Sequence, residues 1–339
     1  SGQTPDLVYL SREADRGVYR ALAADEALAD LSTFFSSSDA PDLYDGFLDG
    51  PSVRAYGDER ITGAPMDYTC AGLLVRAGAF PEGTSLPRTL GDFLSLADSM
   101  EEGKSLFAFP ADHPAYLEPF VLPMLGTAGV NSAGEMRLTT EAFASGAFSS
   151  EALQKVAQDL YKLSSSLYTS DPYPDTEAVC KAFAAGETMI VPGDAVLLRT
   201  LRESYGLTED VLLLPAPAVN GTQYLLTAVT PAYIPAAAAH PGEALRFLSL
   251  VYRTRAAEGL HPPVRGGAEG LADFKGAAAA LFEKGVHAYC GQFAQTGEEG
   301  ELFESAYTTI GDLVSGRVEA PAWGEAMDQL FKEGETPAA

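Results

Sequence analysis

Tryptophan, cysteine and histidine are all scarce in this chain: one Trp, three Cys and four His among 339 residues. The histidines (His113, His240, His261 and His287) are scattered, and no H-E-x-x-H or close cysteine pair occurs. A zinc centre therefore has no support, and no metal is expected. Cys70, Cys180 and Cys290 are far apart and odd in number, which argues against a disulfide framework; buried free thiols are the expectation. Apolar runs are short, well below the ~18 consecutive residues of a membrane-spanning helix. No basic, apolar leader is seen at Ser1, so any secretion signal is expected to lie upstream or to have been removed. Basic residues are outnumbered, 22 against 47 acidic, giving a net charge of −25. Such a surface is repelled by phosphate backbones and anionic headgroups, so nucleic acid and direct membrane adsorption are poor partners. G-x-S-x-G, P-loop and dinucleotide fingerprints are missing as well, so no enzyme and no cofactor are expected. Loose carboxylate pairs occur in any chain with 47 acidic residues, so counting alone does not dispose of a glycosidase.

What is present is globular: 46% apolar, 10% aromatic and 20% charged residues. The length exceeds one ordinary core and suits two lobes. Asp6 to Leu10 reads as a strand, followed by a helix to about Ala29. Ile61 to Ala64 and Gly72 to Arg76 read as two short extended pieces. Leu90, Phe93, Leu94 and Ala97 form a helical stripe, with Thr89 as N-cap and Asp92 completing a capping box. Leu106 to Phe109 is a strand; Leu153, Val156, Ala157 and Leu160 mark a helix. In Lys181 to Glu203 (KAFAAGETMIVPGDAVLLRTLRE) a helix ends at Gly186 and a strand spans Thr188 to Val191. A Pro-Gly turn then leads into a helix near Asp194. Val211 to Leu214, Tyr224 to Ala228 and Ala232 to Ile234 are extended. Glu243 to Tyr252 is a helix with Ala244, Phe247, Leu248 and Val251 on one face, and two more helices close the chain. Short strands alternating with amphipathic helices predict an α/β protein with mostly parallel sheets.

Several of these segments, in this order, resemble the family 1 extracellular solute-binding proteins of ABC transporters, of the maltose-binding, carbohydrate type. They are the opening Pro5-Asp6-Leu7-Val8 strand, Leu28 to Phe35 (LADLSTFF), and Gly63-Ala64-Pro65 through Leu74-Val75-Arg76. Further on come the Pro87 to Ala97 helix, Phe183 to Arg199, Leu214 to Leu248, and Ser315-Gly316-Arg317. The resemblance covers nearly the whole chain. It implies a two-lobed, periplasmic-binding-protein-like fold with a cleft between lobes. Residues 1–70 and 228–268 would form the first lobe, and 71–227 and 269–339 the second. Two features depart from the family. Its usual first strand and helix have no counterpart before Gly2, so the first lobe is expected without them. Asp194-Ala195 also stands where sugar-binding members often carry Trp.

The implied function is capture of a mono- or oligosaccharide by hinge closure and delivery to the permease subunits of an ABC importer. The protein would be an extracytoplasmic monomer, periplasmic or a cell-surface lipoprotein. The alternative is a sensory or protein-interaction module of the same fold. The resemblance, together with the strand ends and crossovers, implies the candidate ligand residues. Ser11, Arg12 and Glu13 follow the first strand, where the alternative is an ordinary turn. Asp67 and Tyr68 lie in the first crossover, where a carboxylate and an aromatic ring suit a sugar; the alternative is a turn Asp and a core Tyr. Asp112, Tyr116 and Glu118 follow the Leu106 to Phe109 strand, with Tyr116 as the stacking ring and His113 as a surface residue. Asp194 can touch ligand or cap its helix. Tyr233, Arg265 and Phe303 complete the set, Phe303 being more readily a core residue.

Overall fold

The structure is a computed structural model. It describes residues 4–10, 18, 22, 26–50, 52–54, 60–80, 85–128, 147–167, 174–218, 221–257, 263–266, 273–290 and 298–334. In chain order the elements are β1 (Val8–Tyr9), α1 (Ser32–Phe35), β2 (Gly63–Arg76), α2 (Leu90–Ala97), β3 (Ser105–Phe107) and α3 (Glu118–Ala128). Then come α4 (Glu151–Tyr161), α5 (Thr176–Ala185), β4 (Thr188–Asp194), α6 (Ala195–Tyr205), β5 (Val211–Leu214) and β6 (Tyr224–Tyr233). The last are α7 (Pro241–Ala257), α8 (Phe274–Glu283), β7 (His287–Tyr289), α9 (Glu298–Val314) and α10 (Ala320–Gly334). Among the described residues no helix is long and apolar enough to cross a membrane.

The architecture is α/β, with a mixed sheet of seven strands flanked by helices. Strand order is β1-β6-β2-β4-β3, with β5 also on β2 and β7 also on β6. The expectation of mostly parallel pairing needs correction. β1–β6, β2–β4 and β2–β5 pair antiparallel, and β3–β4 pairs parallel. Hydrophobic patterning marks a strand but carries no information on its direction.

Two compact units emerge, each assembled from separate stretches of chain. One comprises Ser1–Cys70 and Thr227–Gly291, the other Ala71–Leu226 and Gln292–Ala339. Residues 269–291, expected in the second lobe, belong to the first unit. The reason is packing: Phe282 of α8 meets Tyr44 at 5.2 Å and Phe47 at 5.5 Å between ring centroids. In the other unit, Phe93, Phe107 and Phe120 form the aromatic centre, with centroids 5.2–5.7 Å apart. There too Trp323 meets Phe148 edge-on at 5.4 Å.

Local signals explain most element ends. Thr89 Oγ1 accepts from Asp92 N, and Asp92 accepts from Thr89 N, so the expected capping box is formed. Helix α5 begins on Asp175 and stops at Gly186 in the left-handed region (φ 79°), where a side chain would be strained. Prolines mislead the sequence reading. β2 runs unbroken through Pro65, β6 through Pro231, and β4 through Pro192-Gly193, which pairs with Gly72 and Leu73 instead of turning. Proline forfeits one ladder donor and so fits a strand where its N–H side has no partner strand. The helix α7 also buries a different face: Ala244, Leu248 and Tyr252 are inside, whereas Phe247 is 53% exposed. Most of the span expected as the first helix lies outside the described residues. Within it Val18 and Leu22 are helical, Leu28 forms a bridge with Pro235, and a separate short helix spans Ser32–Phe35.

Candidate functional site

Strands β3 and β4 are parallel neighbours, with Ser105 opposite Thr188 and Phe107 opposite Ile190. Their carboxyl ends therefore lie side by side, the position where α/β sheets present polar residues to ligands. From the end of β3 the chain continues through Ala108, whose N–H donates to Ile190 O at 3.2 Å. It then enters a tight helical turn over Pro114–Leu117. That turn carries Tyr116, half-buried, its ring 5.3 Å from the ring of His113. Burial raises the Tyr116 hydroxyl above its ordinary pKa of 10.0, and Asp194, Cys180 and Asp112 push it further in the same direction. The phenol is therefore neutral and sits in the field of two carboxylates.

Asp194 ends β4 and opens α6. Its Oδ1 accepts from the N–H groups of Val196 and Leu197, each at 2.9 Å. Oδ2 has no partner among the described residues. Gly193, just before Asp194, is closely covered by leucine side chains. A Cβ there would stand 2.5 Å from Leu197 Cδ2 and 3.2 Å from Leu74 Cδ1. Asp112 Oδ1 accepts from Thr176 N at 2.7 Å and from Thr176 Oγ1 at 2.9 Å, joining the loop after β3 to the start of α5. Glu118 begins α3 and is half-buried. One unit thus brings Asp112, Tyr116 and Asp194 together. The group can accept hydrogen bonds through its carboxylates and offers a ring to an apolar C–H face.

The other expected residues have different settings. Tyr68 is buried, against Phe47 at 5.1 Å and Phe282 at 6.0 Å, with the Lys275 ammonium 5.3 Å from its ring centroid. This corrects its role as a stacking platform: along β2, Met66, Tyr68 and Cys70 form the buried set. Its hydroxyl has no hydrogen-bond partner among the described residues. Asp67, on the more exposed set, pairs with Lys275 Nζ at 2.5 Å. Tyr233 is also buried and donates its hydroxyl to Ser52 O at 2.6 Å. Arg265 reaches Asp45 at 2.8 Å and Asp42 at 3.5 Å, with its guanidinium 5.4 Å from the Tyr44 centroid. Both make contacts within their own unit. Ser11, Arg12, Glu13 and the side chain of Phe303 lie outside the described residues.

The sequence reading missed Lys275 and Thr176. Asp273 and Asp175 are N-caps and signal the starts of α8 and α5. Nothing local shows that these helix starts reach Asp67 and Asp112, which are 208 and 64 residues away. The sequence matches no family model and no curated protein.

Proposed function

We propose that this chain is the extracytoplasmic solute-binding component of an ABC importer, capturing a mono- or oligosaccharide for its permease subunits. The observation that carries this reading is the grouping of Tyr116, Asp194 and Asp112 at the carboxyl ends of β3 and β4. An aromatic ring flanked by carboxylates suits a polyhydroxyl solute, whose hydroxyls donate to the carboxylates while its C–H face covers the ring. The organisation of the chain is compatible with hinge motion. It passes between its two units at Cys70–Ala71, Leu226–Thr227 and Gly291–Gln292, and each unit has its own aromatic core. The capture step in this reading is movement of the units about those three crossings. Micromolar binding corresponds to about −8 kcal/mol, within reach of a few such contacts. No catalysis and no cofactor enter the proposal, and the working form is a monomer.

A thermal-shift screen tests it, with mono- and oligosaccharides as probes and amino acids, polyamines and metal ions as controls. Binding confined to the folded state raises Tm in a saturable manner, so one sugar class is expected to do so. A hit confined to the controls would overturn the sugar assignment. The absence of any shift from a folded sample would count against solute capture itself.

A further inference from the structure

We draw no further inference here: the strongest candidate, the exposed face of helix α7 carrying Arg246, Phe247, Leu250 and Arg253, is an apolar and basic surface, and nothing in the structure shows what covers it.

Discussion

Lys275 Nζ stands 2.5 Å from Asp67 Oδ1, joining the start of α8 to the middle of β2 inside one unit. Both side chains are about one-third exposed, so the pair is worth less than a fully buried one. Lys275→Ala is expected to cost about 1–2 kcal/mol, since it removes a charge-assisted hydrogen bond and uncovers the Tyr68 ring. Lys275→Arg should restore part of the loss. Urea titrations of the three proteins give the comparison. An unchanged midpoint for the alanine variant would show that the contact contributes nothing.

Arg76 gives a sharper case. It is buried in β2, and its guanidinium donates to Phe183 O and to Ala184 O at the end of α5 and pairs with Glu209. Removing it leaves the Ala184 carbonyl without its donor and Phe183 O with only the Gly186 N–H, whereas Glu209 is half-exposed and can turn to water. Arg76→Met should therefore cost roughly 2–4 kcal/mol and Glu209→Gln under about 1 kcal/mol. Equal losses would mean that the ion pair, and not the helix end, is what matters.

Alkaline pH should weaken the fold through its buried thiols and phenols. Burial raises Cys180 from 9.0 to about 11, and raises Cys70, Tyr68 and Tyr252 as well. A folded-state value above the unfolded one means that the folded protein retains protons the unfolded chain has already released. Stability is then intact below pH 9 and declines as pH rises towards 11. Cys180→Ala should make that decline shallower between these values. Denaturant midpoints measured across the range report the slope; an identical slope in the variant would remove Cys180 from the explanation.

The sequence carried the local parts of this fold clearly. Thr89 and Asp92 at capping-box spacing and Gly186 at a helix end each specify a conformation through their own chemistry. Non-local parts were less legible. Pro65 and Pro192-Gly193 read as breaks because the ladder partners that carry the strands past them come from distant segments. In β2 both neighbours of Met66, Pro65 and Asp67, are also fully or partly buried, which blurs the alternation that would have assigned Tyr68 to the core. Of the candidate site, Asp112, Tyr116 and Asp194 were legible because they follow short apolar strands. Their duties towards Thr176 and the start of α6 were only partly so: an Asp before a helix announces a cap, but a contact across 64 residues announces nothing.

The two duties of Asp194 can be separated chemically. Asp194→Ala removes the acceptor of Val196 N and Leu197 N and should cost about 0.5–2 kcal/mol as a lost N-cap. Asp194→Asn retains an oxygen acceptor, so its stability should stay near that of the parent while its charge is gone. If Asp194 contacts solute, the asparagine variant binds more weakly despite normal stability. Unaltered affinity would restrict Asp194 to capping. Chemical denaturation together with ligand titration distinguishes these results.

Calorimetric titration of mono- and oligosaccharides into the parent protein and into Tyr116→Ala tests solute capture most directly. Solute capture at Tyr116 predicts saturable, one-to-one binding of one sugar class by the parent, and a loss of at least tenfold in affinity for the folded variant. Equal binding by both proteins would remove the site from the account, and no binding by the folded parent would contradict the account as a whole.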